Sequence, residues 1–164
     1  MIRSAGILLY RAPARAEPVE AQDFEVLIAH MGGPFWAKKD AGAWSIPKGE
    51  FDPDVETAQD AAFREFREEL GVDPPAGPYV ELGTWSTSSG KKVTAFAGDG
   101  SGFAASGFVY GTFELEWPPR SGLMQRFPEV DRAEWMPLDA ARDRLVKGQR
   151  PILDALLAHL AARG

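Results

Sequence analysis

The chain has 164 residues, 45% of them hydrophobic and 26% charged, with a formal net charge of −6. That is enough for one domain with a real core, spanning residues 1–164, and its acidic balance argues against bulk binding to nucleic-acid backbone. There is no cysteine, which excludes disulfides, thiolate zinc sites and cysteine nucleophiles.

The opening MIRSAGILLYR has one short apolar segment and no small-residue cleavage site. No signal peptide is expected from it. No apolar run reaches membrane-spanning length, so the expected location is the cytoplasm. Ser4–Arg11 and Phe24–His30, rich in Ile, Leu and Val, read as buried strands. The polar APARAEPVEAQD between them, with two prolines, reads as a loop. Met31–Gly42 reads as a second loop, and Trp44–Ile46 as a short extended piece stopped by Pro47.

Thr57–Leu70 reads as a helix. Thr57 and Asp60 form a T-x-x-D capping box, and Gly71 supplies the stop. Tyr79–Trp85, Val93–Ala97 and Phe108–Glu116 read as strands, with the glycine-rich GDGSGFAASG connecting the last two. WPPRSGLMQRFPEVD reads as a loop leading to a short strand at Glu134–Met136. Helices are predicted over Leu138–Val146 and Pro151–Ala162, the second with proline in its first turn. Strands both precede and follow the central helix, which predicts an α/β sandwich: helices on both sides of a central mixed β-sheet. His30 and His159, the two histidines, read as core or surface residues.

The central helix carries Glu65, Glu68 and Glu69 at spacings that place them on one face. Phe63, Phe66 and Leu70 fall on a different, core-facing arc. Like charges at these spacings cost a helix about 0.2–0.5 kcal/mol per pair. The helix dipole disfavours anions at this end as well. Two readings stay open: a solvated acidic face relieved by Arg64 and Arg67, or a divalent-cation site. All-oxygen ligation by carboxylates suits magnesium (Mg²⁺) or manganese (Mn²⁺).

The stretch Glu56, seven residues, then Arg64-Glu65-Phe66-Arg67-Glu68-Glu69-Leu70-Gly71-Val72 resembles the helical half of the Nudix hydrolase signature. That signature is G-x5-E-x7-R-E-U-x-E-E-x-G-U, with U a bulky apolar residue. One departure stands upstream: six residues, not five, separate Gly49 from Glu56. The helical register is intact, so the extra residue is expected as a bulge in EFDPDV. WSIPKG, before the signature, resembles the same segment of a bacterial Nudix subgroup.

The resemblance implies a Nudix-like α/β/α sandwich binding divalent metal against a pyrophosphate. Glu65, Glu68 and Glu69 would be metal ligands, Glu65 or Glu68 doubling as a base, and Gly49 would offer its carbonyl. Glu56 and Arg64 would pair and brace the motif. A glutamate outside the helix often joins the site in this family. Glu129, six residues before Trp135, is the candidate. Glu114 and Glu116 are its rivals, and surface decoration or a structural pair with Arg126 or Arg132 is the alternative reading of Glu129. Lys48 could reach a substrate phosphate. Lys91 and Lys92 in SSGKKV could do so too, though solvated lysines of a hairpin turn explain them as well. Arg3 and Lys38–Lys39 are weaker candidates. Phe35, Trp36 and Trp85 lie in or near loops and could stack on a base.

The implied function is hydrolysis of a pyrophosphate bond in a nucleoside diphosphate linked to another group. Nucleoside triphosphates and dinucleoside polyphosphates are favoured over ADP-ribose and nucleotide sugars. The alternative is a non-catalytic nucleotide-binding regulatory module. The expected partner is a small nucleotide or other diphosphate, and a homodimer is one option on family grounds.

Overall fold

The computed structural model describes residues 2–14, 18–87 and 90–163. At the centre of its main sheet, β1 (Arg3–Arg11) and β6 (Lys92–Asp99) run parallel, in register from Arg3↔Lys92 to Tyr10↔Asp99. Both are covered on two faces, which is why β1 is a near-continuous apolar run. β2 (Glu25–Met31) pairs antiparallel with β1, and β9 (Val130–Pro137) pairs antiparallel along the other edge of β2. β5 (Tyr79–Ser86) closes the far side against β6. Two short strands fill the remaining edges: β3 (Trp44–Ser45) on β2, and β4 (Lys48–Phe51) on β1. The sheet is therefore mixed, as predicted.

Helices cover both faces. α1 (Ala58–Leu70) buries Ala61, Ala62, Phe66 and Leu70 against Ile7, Leu9, Leu27 and Phe96. The two alanines let the helix axis approach β1 closely. α2 (Leu138–Arg144) and α3 (Arg150–Arg163) cover the opposite face, with Leu145, Ile152, Leu153 and Leu156 fully buried beside Trp44. Among the described residues no helix is long and apolar enough to cross a membrane.

The structure departs from several sequence expectations. The segment read as a loop after Trp117 holds a strand, β8 (Met124–Pro128), paired with β7 (Thr112–Glu116) as a separate two-stranded sheet. Residues 108–111 are not strand. Instead Val109 N–H donates to the Leu70 carbonyl and Gly111 N–H to that of Glu69, so this segment satisfies the orphan carbonyls at the end of α1. Lys48–Phe51 is a strand rather than turn and loop, because the first half of β1 offers it an edge. The extra residue after Gly49 sits in a turn, not a bulge: Val55 and Glu56 N–H both donate to the Asp52 carbonyl. The strand expected at Glu134–Met136 runs over all of Val130–Pro137, long enough to follow β2. α2 stops at Arg144, since Leu145 is extended and Val146 N–H turns to the Trp44 carbonyl. Residues 15–17 of the first predicted loop and residues 88–89 of the SSGKKV turn lie outside the described residues.

Candidate active site

α1 begins where the sequence marks it. The Thr57 hydroxyl accepts from Asp60 N–H at 3.1 Å, and Gly71 ends the helix with φ +74°. A left-handed residue there favours glycine. The acidic face borders the core face. Glu65 and Glu69 each precede a fully buried residue, Phe66 and Leu70. The Glu65 side chain keeps only 13% of its exposure, whereas Glu68 keeps 56%.

Arg64 lies across this ridge. Its Nη2 donates to Glu56 Oε1 at 2.6 Å, its Nη1 to Glu65 Oε1 at 2.8 Å and to Glu68 Oε2 at 3.1 Å. Nη2 also reaches the Glu50 carbonyl at 3.3 Å. The guanidinium thus ties the helix to β4 and to the turn before α1. Hydrogen bonding to Arg64 lowers the Glu56 carboxyl pKa. The reciprocal bonds, that to Glu56 foremost, raise the pKa of Arg64.

Five carboxylates, Glu50, Glu65, Glu68, Glu69 and Glu129, line one cavity of about 380 Å³ together with Gly49, Lys48 and Lys91. Glu129 follows β8 and is fixed from both sides. Its N–H donates to the Gly111 carbonyl at 2.8 Å, and its carbonyl accepts from Gly32 N–H at 2.9 Å. Glu69 Oε2 accepts from Lys48 N–H at 3.2 Å.

The carboxyls are electrostatically crowded. Burial pushes Glu69 up to about 8, against the pull of Lys48 and helped by Glu129 and Glu65. Burial also raises Glu65, partly offset by Arg64. Burial first, and then the neighbouring Glu68, raise Glu129. A Cβ added at Gly49 would overlap the Glu65 carboxyl, so only glycine leaves that carboxylate room beside β4.

The donor set suits a hard divalent cation: it is all oxygen, and two of its carboxylates, Glu65 and Glu69, are drawn partly out of water. Among the described residues no three acidic or imidazole side chains already converge as a finished ligand set. Arg64 holds Glu65 and Glu68 instead.

The other sequence candidates lie elsewhere. Glu114 faces Arg126 at 3.9 Å, and Glu116 accepts from Arg120 N–H at 3.1 Å; neither lines the cavity. Arg132 pairs with Glu134 at 3.5 Å, so neither proposed arginine partner of Glu129 is with it. Lys91 lines the cavity, 3.8 Å from Glu50, but Lys92 is a β6 residue outside it. Arg3 lines a separate hollow with Phe51 and Pro53. Lys39 sits over the Trp36 ring. Trp36 and Trp85 pack on the α2–α3 core, whereas Phe35 is 60% exposed and meets Trp117 edge-on at 5.4 Å. His30 is buried between Asp131 Oδ1 and the Lys39 carbonyl. Sequence reasoning missed Ser4 and Glu50 in the cavity wall, since strand pairing alone brings them there.

The NUDIX domain model matches residues 4–156. No curated protein matches the chain. Solved structures do. A C. elegans Ap4A hydrolase binary complex is 19% identical over 99% of both chains, with a TM-score of 0.61. The NUDIX domain of Shewanella oneidensis NrtR, complexed with ADP ribose, is 15% identical over 97% of this chain and 88% of that one, with a TM-score of 0.60. The E. coli ORF135 protein is 23% identical over 99% and 92%, with a TM-score of 0.54. At such identities the structures share the fold. The family model, which spans most of the sequence, goes further: the chain belongs to the Nudix family of pyrophosphohydrolases.

Proposed function

We propose that this chain, as one domain over residues 1–164, is a divalent-metal-dependent hydrolase. Its target is the pyrophosphate bond of a nucleoside diphosphate linked to another group. Nucleoside triphosphates and dinucleoside polyphosphates come ahead of ADP-ribose and nucleotide sugars. The observation that carries this reading is the gathering of Glu65, Glu68, Glu69 and Glu129 with Lys48 and Lys91 around one cavity. A cytoplasmic location and use of Mg²⁺, or Mn²⁺, belong to the same proposal.

Glu65, Glu68 and Glu69, with the Gly49 carbonyl, would hold the cation. When bound, it supplies charge neutralisation to the diphosphate and a lowered pKa to water. The protein supplies the rest. Arg64 keeps the Glu65 and Glu68 carboxylates on the cavity side of α1. The Lys48 N–H fixes one oxygen of Glu69. Lys48 and Lys91 stand where a phosphate oxygen would need a cation. Glu129 comes from outside the helix, and its raised pKa suits a group that accepts a proton from water.

The test is product release from nucleoside triphosphates, diadenosine polyphosphates, ADP-ribose and nucleotide sugars, with Mg²⁺ or Mn²⁺ and with chelator. Metal-dependent cleavage of one class is the expected result. Tight binding of a nucleotide with no cleavage would replace the hydrolase with a regulatory nucleotide-binding module.

A further inference from the structure

The β7–β8 hairpin stands off the main sheet, and its two faces differ. Residues alternate across a strand. From the registered pairs Phe113↔Phe127 and Leu115↔Gln125, one face carries Phe113, Leu115, Phe127 and Gln125. The same alternation adds Trp117 and Leu123 at the tip, where Trp117 N–H donates to the Leu123 carbonyl. The other face carries Glu114, Glu116 and Arg126, with Thr112, Pro128 and the exposed Met124. The apolar face is not sealed. Leu123 is 60% exposed, as is Phe35, whose ring leans on Trp117.

At its base this face adjoins the acidic cavity through Glu129, which lines it. Continued one pair beyond Thr112↔Pro128, the register sets Gly111 opposite Glu129. A Cβ built on Gly111 would meet the Glu68 carbonyl oxygen at 2.8 Å and lie 3.6 Å from Glu129 Oε2. Glu129 therefore projects on the same side as Phe127 and Phe113. Gly33 closes the wall from below, because a Cβ there would touch the Phe113 ring at 3.0 Å. At roughly 3.3 Å per strand residue, the Phe113–Phe127 pair lies about 7 Å from Glu129 and the Trp117 tip about 20 Å.

We infer that this face, closed by Phe35, holds an aromatic base carried by the substrate's diphosphate, and so selects nucleotides over other diphosphates. The inference rests on the hydrolase reading above and assigns its base-holding wall. Charge decides against a charged occupant, since the acids and Arg126 of the hairpin point the other way. Rings offset or edge-on to aromatic side chains are the chemistry this surface favours.

The experiment compares kcat/KM for a nucleoside triphosphate and for inorganic tripolyphosphate, in wild type, Phe35→Ala and Phe35→Tyr. Phe35 is exposed, so its truncation leaves the fold intact. Phe35→Ala should lower the preference for the nucleotide about tenfold, through KM, and Phe35→Tyr should restore it. An unchanged preference in both Phe35→Ala and Phe35→Ala/Trp117→Leu overturns the inference while leaving the hydrolase in place. A shift from dimer to monomer in Phe35→Ala, with the preference unchanged, also overturns it and assigns the face to a second copy of the chain. If wild type cleaves inorganic tripolyphosphate and the nucleotide with equal kcat/KM, the base wall falls and the hydrolase stands. If it cleaves nothing, the hydrolase reading falls first.

Discussion

Helix α1 and the β7–β8 hairpin meet at Glu129, yet they are built on opposite principles. The helix is over-determined. It is capped, stopped, packed on β1 and laced by one arginine to two of its own carboxylates, to Glu56 in the turn before it and to β4. The hairpin is a two-stranded ribbon, and such a ribbon is marginal alone. It is anchored by Glu129 at its base and by the packing of Phe113 on Gly33. Invariant phosphate chemistry belongs on the rigid element, and the variable part of a substrate on the open one.

Changes on the helix should therefore remove chemistry outright. Glu69→Gln is expected to cost about 10³-fold in kcat at saturating Mg²⁺ while circular dichroism and the fold stay unchanged. Normal turnover would remove Glu69 from the site. Glu129→Gln, at the junction, should cost about 10²-fold in kcat and leave KM nearly unmoved. If Glu114→Gln gave that pattern instead, the distal glutamate would have been misassigned. Gly49→Ala should cost roughly tenfold in activity, because its methyl displaces the Glu65 carboxyl. An undiminished rate would mean that β4 yields.

The smallest effect is on stability. Glu69 titrates near 8 when folded, against 4.5 in its unperturbed state, so the folded chain binds the extra proton between those values. With chelator present, stability should fall as pH rises through that window. Glu65 and Glu129 shift in the same direction and add to the slope. Glu69→Gln should flatten it and make the metal-free protein about 1 kcal/mol more stable at pH 7 in a urea melt. The substitution that removes activity would then strengthen the fold.

The helix was legible because its devices are local. A cap residue, a stop glycine and carboxylates one turn apart lie within one short stretch of sequence. The central strands were legible because both faces are buried and the apolar run is unbroken. The hairpin was half legible. FELEW alternates visibly, but MQRFP has weak strand propensity, ends in proline and gains its structure only from pairing with β7. Lys48–Phe51 was missed for the same reason: a glycine and two charges make a strand only where β1 lends an edge. Phe35 was weighed beside Trp36 and Trp85, and nothing in the sequence could say that it alone of the three stays exposed. Glu129 was found through its distance from Trp135, while its meeting with α1 depends on contacts far apart in the chain.

The backbone of Glu129 is clasped twice, by Gly32 on one side and Gly111 on the other. Gly32 leads into the loop that carries Phe35, and Gly111 into the strand that carries Phe113. Both walls of the apolar face therefore hinge on the residue that reaches the acidic cavity. Shifting either wall shifts the same peptide groups that position the Glu129 carboxyl.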